Sequence, residues 1–268
     1  MNRLLLFAPM GLLIAGFALS VLGLLWSSLI HGGAALYADL LTDPIILRVL
    51  WRTAWIAVVT TGLCAVLGYP LALFLARSPR RNLWLILVIS PWLVSIVVRT
   101  FGWMVLLGNR GVINTSLRGW GIIDSPIRIL FTPTAVIIGL VHVFIPFMVI
   151  AILSSLLQQD RRLEEAGRIL GGTRWQTFRR VTLPLSMPGV TGGCSLVLLM
   201  AAGAIVTPLL LGGLRDRMLG TQIYSEIFQV YNFDRATAMA VLLLVLALLL
   251  VAPLRLLEAR LRHRLEAG

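Results

Sequence analysis

Long apolar runs recur along the whole chain, and the polar positions between them gather into short, arginine-bearing clusters. Six windows are apolar for long enough to cross a hydrocarbon core, which takes roughly 20 helical residues. They lie at about 4–30, 53–76, 83–107, 132–157, 188–211 and 236–254. Only the third holds a charge, Arg99, near one end, where a long side chain can snorkel toward the interface. The pattern predicts an all-α membrane protein with six transmembrane helices in a single domain, residues 1–268. The first run is uncharged from Leu4 to Ile30, longer than a signal-peptide core of ~7–15 residues and without an obvious cleavage site. It is read as a retained helix.

The connections carry weaker patterns. Asp43 can cap and Pro44 can open a short interfacial helix with Ile45, Ile46, Val49 and Leu50 on its apolar side. Gly108 to Pro126 is rich in turn residues and reads as a loop with little regular structure. In Gly212 to Arg235, Ile223, Ile227 and Val230 suit a short amphipathic helix.

Composition agrees with the pattern: 59% of residues are hydrophobic and 13% charged, a balance that a water-soluble domain of 268 residues could hardly solvate. The net charge of +12 comes from 23 basic residues, every one an arginine. Their clustering between apolar runs fits the positive-inside rule and not a nucleic-acid face. Fourteen fall on one side of the alternating connections: Arg3, then Arg77, Arg80 and Arg81, then Arg161, Arg162, Arg168, Arg174, Arg179 and Arg180, then Arg255, Arg260, Arg262 and Arg264. Nine fall on the other. That asymmetry predicts cytoplasmic termini and a cytoplasmic segment at 158–187.

The absence of lysine excludes a Walker-type phosphate loop, a Schiff base and a Ser-Lys dyad. Cys64 and Cys194 lie inside apolar runs, as small packing residues do. His142, mid-way along the fourth run, has no second ligand at metal spacing and reads as a hydrogen-bonded packing residue.

The segment between the fourth and fifth runs is the most patterned polar stretch. Leu163, Ala166, Ile169 and Leu170 recur at helical spacing among Arg162, Glu164, Glu165 and Arg168. Gly171 and Gly172 end that helix, and Thr173 caps a second one bearing Trp175, Phe178 and Val181 on one side. Pro184 and Pro188 then close it ahead of the fifth run. Pattern alone leaves two readings: interfacial helices lying on lipid headgroups, or a lever gripped by a soluble partner.

Here the residues resemble the cytoplasmic signature of binding-protein-dependent ABC transporter permeases, E-A-A, three residues, G, nine residues, I-x-L-P. Glu165, Ala166 and Gly167 stand for the first three positions, Gly171 for the glycine, and Val181, Leu183 and Pro184 for the last, with every interval matching. Gly167 replaces the usual alanine and Val181 the common isoleucine. The resemblance spans about residues 40–250. Within the family it is closest to the first permease subunit of spermidine/putrescine importers, carried also by GYPLALFLA from Gly68, VRTFGWMVLLGNRGVIN from Val98, PFMVIAILSSL from Pro146 and VTPLLLGG from Val206.

The resemblance implies a type I importer permease fold in a bacterial inner membrane, surrounded by lipid and with no catalysis of its own. It implies two ATPase subunits that carry the ATP and Mg, a second permease subunit completing a heterodimer, and an extracytoplasmic substrate-binding protein. The chain itself would bind no cofactor. Leu163, Glu164, Glu165, Ala166, Gly167, Arg168, Leu170 and Gly171 would form the coupling helix that docks in an ATPase cleft.

The substrate implied is a polyamine, with permeases for iron, sulfate, thiamine or phosphonates as relatives of similar pattern. A polycation needs acids or aromatic faces along its route. None of the six windows holds Asp or Glu, so the acids available are Asp39, Asp43, Asp124, Asp216, Glu226 and Asp234 outside them. Trp92, Phe101, Trp103 and Tyr224 are candidate path aromatics, and Arg99 is a candidate gate residue. The small residues of the fifth run, with Ala201, Ala202 and Gly203, could line a tight passage, and Pro208 could kink it. A polytopic enzyme would show clustered acids or histidines at a membrane face, and an ion-coupled carrier would show carboxylates inside the runs. Only Glu164 and Glu165 cluster, and the permease signature accounts for them; the runs hold no carboxylate, which argues against ion coupling but not against passive conduction through a channel.

Overall fold

The structure, a computed structural model, describes residues 3–28, 30, 33–169, 171–213 and 216–266. Among them every regular element is helical. In order these are α1 (Arg3–Ser27), α2 (Gly33–Thr42), α3 (Pro44–Arg77), α4 (Arg81–Leu93), α5 (Ile96–Leu107), α6 (Val112–Gly119), α7 (Pro133–Leu157), α8 (Arg161–Ile169), α9 (Arg174–Thr177), α10 (Leu183–Ala202), α11 (Val206–Leu211), α12 (Leu219–Ser225) and α13 (Phe233–Glu266). A π-helical turn, Phe178–Thr182, joins α9 to α10, and another, Glu226–Val230, follows α12. Six segments are long and apolar enough to cross a membrane: Met10–Ser27, Pro44–Arg77, Ile96–Gly119, Pro133–Leu157, Arg174–Ala202 and Phe233–Leu256.

The core forms where α3, α7 and α10 pack on one another. Lipid is as apolar as a leucine side chain, so close contact between helices has to come from shape, and small residues supply it. A Cβ added at Gly189 of α10 would lie 2.5 Å from Ser155 Cβ, one at Gly193 2.8 Å from Met148 Sδ, and one at Gly68 of α3 3.0 Å from Met148 Cγ. These glycines let both helices close on α7, burying Ile56, Leu75, Leu140, Met148, Ile152 and Val197.

Three elements differ from the sequence expectation. The window 83–107 is two helices, with the break at Val94 and Ser95. Pro91 removes a backbone donor near the end of α4, and its carbonyl instead accepts from Val94 N–H at 3.4 Å and from Arg99 Nη1 at 2.6 Å. The expected interfacial helix after Asp43 is the opening of α3: Asp43 Oδ1 caps Ile45 N–H at 2.8 Å and Pro44 takes the first position, but nothing breaks the helix before Arg77. At 34 residues, or about 50 Å, α3 outruns a ~30 Å core. In the fifth run α10 ends at Ala202, and Pro208 lies in the first turn of α11, where its missing donor costs nothing, so it makes no kink.

The stretch after Gly108 also has more order than its turn residues suggest, because α6 occupies its middle. Fully buried Asn114 donates to Gly108 O at 3.1 Å and Ile127 O at 3.0 Å and accepts from Ile127 N–H at 2.8 Å, fastening both ends of the loop. Asn114→Ala strands those three backbone groups, a local cost of about 1–3 kcal/mol. Trypsin should then cut at Arg110 and Arg118 markedly faster; an unchanged rate would show that the clamp does not hold the loop.

Candidate functional site

Asp160 opens α8, its Oδ1 accepting from Arg162 N–H at 2.9 Å. The helix stops in a Schellman arrangement: Gly172 N–H donates to Gly167 O at 3.1 Å and Gly171 N–H to Arg168 O at 3.0 Å, with Gly171 at φ +82°. That left-handed position is why the stop needs glycine. Thr173 and Gln176 form a reciprocal capping box at the start of α9, at 2.9 and 3.2 Å.

Gly167, the departure from the family signature, lies against α9. A Cβ there would approach Thr177 Cγ2 to 3.3 Å, so the missing methyl lets the two helices meet. Beyond α9 the chain does not stop at its prolines. The π turn Phe178–Thr182 carries it into α10, with Pro184 in the first turn of α10 and Pro188 inside it. Leu183 N–H reaches back to Phe178 O in the wider π pattern, which loosens the coil just where the Pro184 ring would crowd it. Trp175 stacks on Phe178 at 5.4 Å, and Phe178 meets Tyr69 of α3 edge-on at 5.8 Å.

The two consecutive glutamates of α8 take different roles, as residues about 100° apart on a helix must. Glu165 is exposed. Glu164 turns inward, its carboxylate accepting from Arg77 Nη2 at 3.1 and 3.3 Å and from Thr182 Oγ1 at 2.7 Å. Burial alone would raise the Glu164 pKa, but the Thr182 hydroxyl and the Arg77 guanidinium outweigh it and hold it below the usual 4.5. The contact therefore contributes stability above that value and loses it as pH falls through the lowered one.

The apolar residues of α8 are exposed to different degrees: Ile169 is 85% exposed and Ala166 is exposed, while Leu163, 48% exposed, sits at the edge of a cavity that it lines with Leu156, Glu164 and Val181. Arg168 is exposed beside them. Leu170 lies outside the described residues. In the sequence Arg77 is one of the clustered arginines and Thr182 the free position of the signature. No local signal marks them, since Arg77 and Glu164 are 87 residues apart.

The candidate path residues are scattered. Trp92 and Phe101 are each 52% exposed, on either side of the break between α4 and α5, and Trp92 also meets Phe147 edge-on. Trp103 is half-buried, its Nε1–H donating to His142 Nδ1 at 3.1 Å, so His142 is a packing residue with a hydrogen-bond partner. Arg99 is tied to the end of α4 through Pro91 O. Ala201 and Ala202 are buried in the helix core, where their small side chains pack inside this chain, whereas Gly203 is exposed. Pro208 and Tyr224 line a cavity of about 800 Å³ with Arg128, Arg217, Thr221 and Gln229. Among the described residues no cluster of three metal-ligating side chains occurs.

Residues 64–263 match the family model described as the binding-protein-dependent transport system inner membrane component. The spermidine/putrescine transport system permease protein PotB of Salmonella typhimurium is 41% identical over 219 residues, covering 80% of this chain and 76% of that protein. PotB of Haemophilus influenzae is 40% identical over 213 residues, covering 79% and 74%. Among solved structures, a bacterial ABC transporter involved in the import of the acidic polysaccharide alginate matches at a TM-score of 0.74 and 22% identity, covering 96% of each chain. An inward-facing conformation of the MetNI methionine ABC transporter matches at 0.64 and 21%, covering 81% of this chain and 96% of that one.

Proposed function

This chain belongs to the family of binding-protein-dependent transport system inner membrane components, and from that premise we propose that it forms half of the path by which an importer carries polyamines inward, driven through α8. It is a multi-pass inner membrane protein and a non-catalytic permease subunit of an ABC importer. In the proposed assembly two ATPase subunits bind ATP and Mg, a second permease subunit completes a heterodimer, and an extracytoplasmic binding protein delivers the substrate. Both termini lie in the cytoplasm together with α8, a placement supported by the fourteen arginines on that side.

The observation that carries the coupling role is the outward face of α8. Leu163, Ala166 and Ile169 stand exposed beside Glu165 and Arg168, which is the surface of an amphipathic helix awaiting a groove. In this reading Leu163 and Ala166, with Leu170, fill the ATPase cleft and Glu165 and Arg168 make its polar contacts. Gly167 and Gly171 give the helix its seat on α9 and its stop.

Polyamine as the substrate is supported by 41% identity to PotB of Salmonella typhimurium. Three of the outer acids are engaged within this chain, Asp43 and Glu226 both facing Arg235, at 3.1 and 4.0 Å, and Asp216 facing Arg52 at 3.6 Å, whereas Asp39, Asp124 and Asp234 are exposed. Within the membrane, where none of the six apolar runs holds an acid, the cation in this reading passes along aromatic faces such as Trp92 and Phe101 and along acids of the second permease subunit. In the purified complex, binding protein loaded with spermidine or putrescine should raise ATP hydrolysis about tenfold, a coupling of ordinary size. Stimulation by sulfate, iron, thiamine or a phosphonate and not by a polyamine would transfer the chain to that substrate class.

A further inference from the structure

We propose that the Glu164 carboxylate, held by Arg77 and Thr182, is the joint through which movement of α8 reaches the membrane helices. The inference rests on α8 being the coupling helix and adds where its motion is handed on. Among its described residues α8 has no buried side chain, so little apolar packing fastens it to the rest of the chain. Its inward contacts include the packing of Gly167 on Thr177 and the three hydrogen bonds converging on Glu164.

The positions of those partners matter. Arg77 is the last residue of α3, and Thr182 is the last residue of the π turn that runs into α10. Both helices belong to the packed core with α7. One carboxylate thus ties a peripheral helix to the ends of two core helices that lie far apart in sequence. Covalently, α8 follows α7 across Gln158, Gln159 and Asp160 and continues to α9 through the Gly171–Gly172 stop, so the carboxylate adds links to α3 and α10, which the chain does not connect to α8 directly.

The surroundings leave the joint room to turn. Two cavities of about 290 and 230 Å³ flank it, and Leu73, Arg77, Glu164, Arg168 and Thr182 line both. A joint enclosed by close-packed side chains would resist rotation of α8, whereas this one is held by polar contacts with space on either side. Arg77, Glu164 and Thr182 are accordingly positioning residues, acting on transport through α8, α3 and α10.

The test uses the assembled transporter in proteoliposomes and reads three quantities: ATPase subunit copurified, ATP hydrolysed, and solute imported. Glu164→Ala keeps a good helix former on α8 and removes the joint. It should retain the ATPase subunit and hydrolysis while import per ATP falls about tenfold. The double reversal Arg77→Glu with Glu164→Arg restores the pair in the opposite sense and should import several times better than either single reversal. A wild-type import ratio in Glu164→Ala, or a double reversal no better than its parents, would overturn the joint. Glu165→Arg runs alongside as a separate arm: if it keeps both the ATPase subunit and import, the coupling role of α8 itself fails, whatever Glu164 does.

Discussion

Reversing the charge at Glu165 should abolish import while leaving the chain folded in the membrane. Glu165 is exposed and holds no structural position, unlike its neighbour Glu164. Its replacement by arginine therefore spares the fold and changes only the surface offered to the ATPase. A like-charge juxtaposition or an unpaired charge at a docked contact costs about 2–5 kcal/mol, which is well over tenfold in affinity. Copurification of the ATPase subunit should fall accordingly and import should fall with it. Gly171→Val attacks the same element by another route, because φ +82° is strained for a branched side chain and the stop of α8 would reorganise. Wild-type copurification and import in both variants would remove α8 from the coupling role.

The second large effect is expected in the core. Gly189→Leu places a side chain where even a Cβ would lie 2.5 Å from Ser155 Cβ and 2.7 Å from Ala151 O. The second of these is backbone, so α7 and α10 must separate. Overpacking of this kind typically costs about 1–3 kcal/mol, and more where backbone has to move. Gly192, three positions on, is an internal control, since a Cβ there meets nothing within 4 Å. Extracted in mild detergent, Gly189→Leu should give far less monodisperse protein and a lower melting temperature, while Gly192→Leu stays close to wild type. Equal behaviour of the two would mean that the α7–α10 contact does not limit the fold.

Much of the architecture was legible because it depends on local chemistry. Asp43 with Pro44, Thr173 with Gln176, and Gly171 after Arg168 are caps and stops whose partners lie within a few residues, and the structure uses each of them. The breaks inside apolar stretches were not legible, because hydropathy is unchanged across Val94 and Ser95 and across Gly203 to Ile205. What decides them is backbone hydrogen bonding, supplied in the first case by Arg99 reaching Pro91 O. The prolines before the fifth span misled for a related reason, since a π turn admits Pro184 without ending the helix.

The same division runs through the candidate site. The family signature marks Glu165, Gly171 and Pro184 by spacing alone. The inward turn of Glu164 depends on Arg77, 87 residues away, and on Thr182, and no periodicity reports a contact of that range. Ala201 and Ala202 show the converse: a small side chain suits a narrow passage and a close helix contact equally well, so the sequence could not tell that both are buried in the helix core.

What covers the exposed side of α8 decides the coupling role, and one measurement reads it directly. Cys64 and Cys194 are replaced by alanine, Ala166 is changed to cysteine, and a thiol-linked photoactivatable group is attached there in membranes holding the whole transporter. Illumination should yield an adduct between this chain and the ATPase subunit, lost when Glu165→Arg is added. Adducts with lipid alone would place α8 on the membrane surface and contradict the coupling role.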